Sequence, residues 1–243
     1  NKYAGPVTLR TGLSQSINTV AAQLASEVGV KSVIDTARRL GITSPIRRDL
    51  SIALGPSEVT LKELTGAYVP FSNGGYGVLP YVIRRAKTAD GKLIYERTGS
   101  GPGQVVSAEA VGAMNDMLRA ALDEGTAKRA AFGAWPAAGK TGTTQDWRDA
   151  WFVGYTARLT AGVWIGNDDS SPMKRVSGGG LPAMVWHRFM SQAHEGLKPQ
   201  PLPGNYWRNP DDAPAVAGFE DRVDQIQPWP LYTSPSPRDR TRS

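Results

Sequence analysis

The chain has 243 residues, 40% apolar and 21% charged, enough for one large or two small globular domains with a substantial core. No apolar run reaches the roughly 18 residues that a membrane-spanning helix needs, and the absence of cysteine removes disulfides, thiolate metal sites and cysteine nucleophiles. The net charge of +6 is spread along the chain rather than gathered on one element, apart from Arg238, Arg240 and Arg242, so it reads as solvated surface and not as a nucleic-acid site.

The chain opens on Asn1-Lys2-Tyr3 with neither an initiator Met nor a signal peptide, and is expected to be a piece of a longer protein or a processed product. Thr8 to Gly29 carries the first helical signal, with Ile17, Val20, Ala21, Leu24 and Val28 at helical spacing and Ser14, Ser16, Asn18 and Thr19 crowded at its start. A second helix, 33–40, ends at Gly41, a suitable C′ residue. Thr60 followed by Glu63 is a capping box for a third, with Leu61, Leu64, Ala67 and Tyr68 facing inward and Ser72-Asn73-Gly74-Gly75 closing it. The runs 81–86 and 92–95 flank Asp90-Gly91 and read as a hairpin. Ser107 caps a long helix with Val111, Met114, Leu118 and Leu122 on one stripe, ending near Gly125.

Three strand-like pieces come next, 139–144, 150–156 and 160–166, the last two close enough to be antiparallel neighbours. A Ser177-Gly178-Gly179-Gly180 loop leads through Leu181-Pro182 into a final helix carrying apolar Met184, Val185, Trp186, Phe189 and Met190. Helices, then strands, then a helix is the pattern of helices packed on an antiparallel sheet, an α+β fold. After Gly196 prolines recur without a helical or strand period. The expected organisation is therefore one domain over 1–200 and a Pro-rich, disordered tail over 201–243, of which 231–243 has a foreign texture.

Gly139-Lys140-Thr141-Gly142-Thr143-Thr144 concentrates a cation, hydroxyls and flexible backbone. A phosphate loop ending in Gly-Lys-Thr requires glycine at position 134 and a helix after the lysine. Ala134 stands in the glycine's place, and the strand-like Ala150-Trp151-Phe152-Val153-Gly154-Tyr155 stands in the helix's. The competing reading is a sheet edge that holds an extended peptide with a free carboxylate. Lys140 and the hydroxyls of Thr141 and Thr143 would bond the carboxylate, Gly142 would admit close approach, and the Thr143 N–H would form one arm of an oxyanion hole. Upstream, Ser16-Ile17-Asn18 is either a set of helix caps or a second motif. Ser-x-Asn near a helix followed by Lys-Thr-Gly at a strand is the order used by penicillin-recognising serine enzymes.

With these motifs, the segments 8–21, 53–60 continuing to Tyr68 and 72–76, 124–127, 148–155 and 162–169 resemble the transpeptidase domain of class A, bifunctional penicillin-binding proteins of the 1A type, over roughly residues 1–200. The resemblance implies a serine β-lactamase/transpeptidase-like fold, with an antiparallel sheet packed by helices and a mainly helical lobe, its N-terminal part missing here. It implies a D,D-transpeptidase that cross-links peptidoglycan stem peptides ending in D-Ala-D-Ala and is trapped by β-lactams. A D,D-carboxypeptidase, a β-lactamase-like hydrolase or a non-catalytic penicillin-binding sensor are the alternatives. Ser16 is implied as proton relay, Asn18, Lys140, Thr141, Gly142 and Thr143 as substrate-binding residues, and the Thr143 N–H as oxyanion donor, with no metal or organic cofactor. The implied parent is membrane-anchored, carries a glycosyltransferase domain and works in the periplasm or on the outer face of the cytoplasmic membrane.

The sequence departs from the family at one motif. The Ser-x-x-Lys that supplies nucleophile and base should precede Ser-x-Asn, and no such string lies before Ser16. Ser171-Pro172-Met173-Lys174 has the spacing, but it comes after the strands and holds a proline where a helical turn must align serine with lysine, so it is read as a coincidence. The fragment alone is expected to be inactive. His187 and His194 fit neither a metal nor a triad template and are expected to be packing or surface residues.

Overall fold

The computed structural model describes residues 5–99 and 101–204; the expected tail beyond 204, including 231–243, lies outside them. The elements run α1 (Leu9–Ser14), α2 (Asn18–Val28), α3 (Val30–Arg39), α4 (Leu61–Asn73), β1 (Arg85–Lys87), β2 (Leu93–Glu96), α5 (Ala108–Asp123), β3 (Ala138–Thr143), β4 (Asp149–Tyr155), β5 (Thr160–Gly166) and α6 (Leu181–Ala193), with a short 3₁₀ turn at Leu50–Leu54.

The expected helix from Thr8 to Gly29 is two helices. Gln15 caps the C-terminus of α1, and the chain then reverses through a Schellman motif: Ser16 N–H donates to Leu13 O at 3.1 Å and Ile17 N–H to Gly12 O at 2.8 Å. Ser16 occupies the left-handed position with φ 56°, where glycine is the usual occupant and another residue is strained. Gly12 lets the two helices meet, since a Cβ there would lie 2.8 Å from Val20 Cγ1. The same motif closes α3 with its expected glycine: Gly41, φ 102°, donates to Arg38 O and Ile42 donates to Ala37 O.

The capping box of α4 is present in both directions between Thr60 and Glu63. Glu63 does more than cap. Its carboxylate also accepts from the hydroxyls and backbone N–H groups of Thr43 and Ser44, tying the segment after α3 to the start of α4. The Ser44 and Thr43 hydroxyls, followed by the backbone donors, hold its pKa far below the ordinary carboxylate range. A carboxylate whose folded pKa is depressed contributes stability that is complete above its unfolded pKa and drains away as pH falls. Glu63→Gln is therefore expected to lower the thermal midpoint at neutral pH and to flatten its decline below about pH 4.5. Parallel acid limbs for the two proteins, measured by circular dichroism, would contradict this.

β1 and β2 form the expected antiparallel hairpin, Arg85 opposite Glu96, although its first strand begins only at Arg85. The principal sheet has the order β3-β4-β5, antiparallel throughout, with Lys140 opposite Val153 and Val153 opposite Gly162. β4 is central, and helices cover both its faces. Phe152 points to one side, into a cluster with Trp186 and Met190 of α6, Phe132 and the end of α5. Tyr155 points to the other, into a cluster with Phe71 of α4 and Val111 and Leu118 of α5. This double burial explains why β4 reads as a continuous apolar run rather than an alternation.

α5 starts at the expected Ser107 cap, which accepts from Ala110 N–H. Its buried Asn115 donates to Phe71 O and Pro203 O and accepts from the Tyr155 hydroxyl at 2.5 Å, so α4, α5, β4 and the segment at 203 meet on one side chain. Leu202 is buried in the same cluster, so packing continues past residue 200. α6 presents Trp186 and Met190 inward, but Met184, Val185 and Phe189 are exposed, as is Leu61 at the start of α4.

Candidate functional site

Lys140 and Thr141 lie within β3, the edge strand of the sheet. No α-helix follows them directly: β3 runs to Thr143 and a short turn at Gln145–Trp147 leads into β4. The Gly-Lys-Thr segment is thus strand and not phosphate loop, and the sheet-edge reading has its edge.

The two motifs separated in sequence meet in space. Lys140 Nζ donates to Ser16 Oγ at 2.9 Å and to Thr141 O at 2.9 Å, with Thr141 Oγ1 at 3.5 Å. Every one of these partners is neutral. Burial without a compensating anion disfavours the ammonium and brings the Lys140 pKa down to about 8. A half-buried cation beside hydroxyls, and without a carboxylate partner among the described residues, is a ready receptor for an anionic ligand. Ser16 reaches Lys140 because the left-handed turn after α1 swings its side chain out at the head of α2. Asn18 stands in the first turn of α2, exposed, with the 16–18 segment placing it beside Ser16.

Thr141 Oγ1 is 2.7 Å from Thr126 Oγ1. Thr143 Oγ1 accepts from Gly178 N–H at 3.0 Å, which leaves its own proton to donate. At Gly142 a Cβ would point at Trp151 Cβ, 3.2 Å away on the neighbouring strand, while at Gly178 a Cβ would lie 2.5 Å from Gly142 O and 2.3 Å from Trp151 O. The close approach at Gly142 is thus made by the protein's own glycine loop and β4. Two features have no site role in the sequence reading: Thr126, although 124–127 carries part of the resemblance, and the Ser177–Gly180 loop as a strap over β3. A Glu-Gly-Thr string just past the α5 helix end and a run of three glycines are the only signals of them.

Ser171-Pro172-Met173-Lys174 forms no helical turn. Ser171 Oγ accepts from Asn167 Nδ2 and Ser171 N–H donates to Asp169 Oδ1, in an irregular loop. The histidines are packed: His194 Nε2 is 2.8 Å from Thr156 Oγ1 and its Nδ1 2.8 Å from Met190 O, while His187 Nδ1 is 2.9 Å from Ala131 O. No helix among the described residues is long and apolar enough to cross a membrane.

Helices on both faces of an antiparallel sheet, with Ser-x-Asn meeting Lys-Thr-Gly at its edge, define a penicillin-recognising serine-enzyme fold, and the family model for the penicillin binding protein transpeptidase domain matches residues 1–169. The chain belongs to this family. Its relatives include proteins of the 1A type: penicillin-binding protein 1A of Aquifex aeolicus is 37% identical over 190 residues, 78% of this chain and 26% of that protein. That of Neisseria meningitidis is 36% identical over 202 residues, 80% of this chain and 25% of that protein. The chain thus spans about a quarter of the length of these relatives. Among solved structures, penicillin-binding protein 1A from Haemophilus influenzae superposes with a TM-score of 0.72 at 24% identity over 83% of this chain and 37% of that one. PonA1 from Mycobacterium tuberculosis, in complex with penicillin V, superposes with a TM-score of 0.71 at 24% identity over 83% of this chain and 60% of that one. At this identity the superpositions establish the fold.

Proposed function

We propose that this domain supplies the carboxylate-holding and proton-relay walls of a peptidoglycan D,D-transpeptidase, and that the whole protein cross-links stem peptides by serine acyl transfer. The observation that carries this reading is the 2.9 Å contact of Lys140 Nζ with Ser16 Oγ, which joins the two motifs into one site. The acyl-accepting serine and its lysine base are assigned to a part of the protein outside residues 1–243, because no Ser-x-x-Lys precedes Ser16.

In this scheme the serine oxygen attacks the carbonyl between the two terminal D-Ala residues. The ester bond forms, the peptide bond breaks, and the terminal D-Ala leaves after its amine receives a proton. An amine from a neighbouring stem peptide then displaces the serine. Ser16 Oγ, bonded to Lys140, passes the proton toward the departing amine. Lys140 and the hydroxyls of Thr141 and Thr143 hold the terminal carboxylate. Asn18 bonds the backbone amide of the substrate, and the Thr143 N–H faces the oxyanion, where a preorganised donor is worth most. β-Lactams enter by presenting their own carboxylate to the same groups. The parent is assigned a membrane anchor, a glycosyltransferase domain and a place on the outer face of the cytoplasmic membrane.

Fluorescent penicillin tests the reading. The full-length protein is expected to label covalently and to form cross-linked dimers from stem-peptide substrates, and the isolated chain is expected not to label. Stable covalent labelling of residues 1–243 alone, or hydrolysis without cross-linking by the full-length protein, would overturn it.

A further inference from the structure

Three parts of the chain converge on Thr126. Its backbone N–H donates to Ser14 O at 3.1 Å, two residues before the proposed relay Ser16. Its hydroxyl lies 2.7 Å from Thr141 Oγ1 on β3. A Cβ on Gly179 would fall 2.3 Å from its carbonyl oxygen, so the glycine loop packs directly on it. The preceding residues reinforce the first contact. Gln15 Nε2 donates to Glu124 O at 3.2 Å, Arg10 pairs with both Glu124 and Asp116, and Gly125 has no room for a side chain because a Cβ would lie 2.2 Å from Ser14 O.

The chemistry of Thr141 makes the hydroxyl contact directional. To hold a carboxylate, Thr141 must donate its only hydroxyl proton, so its oxygen is left as an acceptor. Lys140 Nζ is at 3.5 Å, the outer limit for a donor. Thr126 Oγ1 is at 2.7 Å, a pair in which either hydroxyl can donate, and only donation by Thr126 leaves the Thr141 proton free for a ligand. With the proton of Thr126 on the oxygen of Thr141, the remaining proton of Thr141 is turned away from Thr126, and the two hydroxyls polarise each other.

We propose that Thr126 is a positioning residue: its backbone fixes the Ser16 turn against β3, and its hydroxyl donates to Thr141 so that Thr141 presents its proton to the ligand carboxylate. This rests on the transpeptidase reading above. It adds to that reading a residue outside both motifs that sets the acceptance of carboxylate ligands.

The test is a double-mutant cycle in the full-length protein, read as the second-order rate constant for acylation by benzylpenicillin. Thr126→Val, which keeps the shape and removes the hydroxyl, is expected to lower that constant about 3- to 10-fold, the worth of one neutral hydrogen bond, with the loss in the dissociation constant of the non-covalent complex rather than in the acylation step. Thr126→Ser is expected to restore the unsubstituted value. In a Thr141→Val background, Thr126→Val is expected to have no further effect. An equal effect in both backgrounds would mean a scaffold role and overturn the proposal, as would unchanged acylation in Thr126→Val. If the valine variant does not fold, Thr126→Ala against Thr126→Ser reads the same comparison. Failure of the unsubstituted protein to acylate overturns the transpeptidase reading itself, and the proposal with it, and is distinguishable because it precedes any substitution.

Discussion

Lys140→Met in the full-length protein is expected to reduce acylation by penicillin on the order of 10²- to 10³-fold while leaving the fold intact. The magnitude is that of deleting one partner from a desolvated, hydrogen-bonded charge pair. In the proposed site the pair is completed by the ligand carboxylate, because the hydrogen-bond partners of Lys140 among the described residues are all neutral. Methionine fills the same volume along the strand, so the loss reports charge and donors rather than packing. The pH dependence has a definite sign. With a pKa of about 8, Lys140 is charged below that value and neutral above it, and an arriving carboxylate favours the charged form. Acylation is therefore expected to weaken as pH rises through about 8, and Lys140→Arg is expected to move that limb upward because a guanidinium stays protonated. Stability runs the other way. A lysine depressed from 10.5 to about 8 leaves the unfolded chain holding more protons over that interval, so stability rises with pH across it, and Lys140→Met is expected to remove the rise. The checks are stopped-flow acylation from pH 6 to 10 and thermal midpoints over the same range. Acylation by Lys140→Met within a factor of five of the unsubstituted protein would remove Lys140 from the carboxylate site.

What could be read from the sequence, and what could not, divides along the range of the interactions. The Thr60–Glu63 box, the Ser107 cap and Gly41 at the end of α3 are contacts within a few residues, and each is written in the residues that make it. β4 was legible because a central strand buried on both faces must be apolar at nearly every position. The break between α1 and α2 was not legible, because a serine in the left-handed position carries no sign that distinguishes it from a serine cap, and the apolar period runs through it unbroken. Those features are connected: the strain at Ser16 turns the side chain toward Lys140, so the place where local rules fail is the place where the site is built.

The candidate site is half legible in the sequence. Ser16, Asn18, Lys140, Thr141, Gly142 and Thr143 announce themselves as motifs because their residue types and order are constrained by chemistry. Thr126 and Gly178 do not. Each matters through one contact with β3 made by chain crossing, at 15 residues in one case and 35 in the other, and no periodicity or turn rule encodes such contacts. Glycine at 142 is legible as a point of close approach, but its near neighbour is Trp151, set by the register of β3 on β4, and it is Gly178 that must be glycine to pack on the Gly142 backbone. The exposed apolar side of α6, with Met184, Val185 and Phe189, was equally beyond a pattern that records hydrophobicity without recording what covers it.

Trp186→Ala is expected to destabilise the domain by about 3–5 kcal/mol, the range for deleting a fully buried aromatic side chain. Trp186 is completely buried. It meets Phe152 of β4 edge-on at 5.2 Å and Phe132 at 5.7 Å, geometries that add to its area burial. Its indole N–H donates to Gly154 O at 3.2 Å and Ala161 O at 3.1 Å, on two residues that face each other across β4 and β5. The fit is mutual, since a Cβ on Gly154 would lie 2.9 Å from the Trp186 ring. Alanine thus opens a cavity and strips both carbonyls of this donor at once. Against a typical domain stability of roughly 5–15 kcal/mol, the loss corresponds to a fall of about 6–20 °C in the thermal midpoint for a domain of this size. Trp186→Phe keeps most of the ring and loses the donor, so it is expected to fall between the two. The consequence reaches the site through the sheet: β4 holds β3 in register, Val153 against Lys140 and Phe152 against Thr141. Penicillin labelling of the alanine variant in the full-length protein is therefore expected to be lost at a temperature lower by the same interval as the melting transition. A midpoint within about 2–3 °C of the unsubstituted domain would show that α6 is not what holds the sheet together, and labelling lost well below melting would show that the helix governs the site by shifting β3 rather than by stabilising the fold.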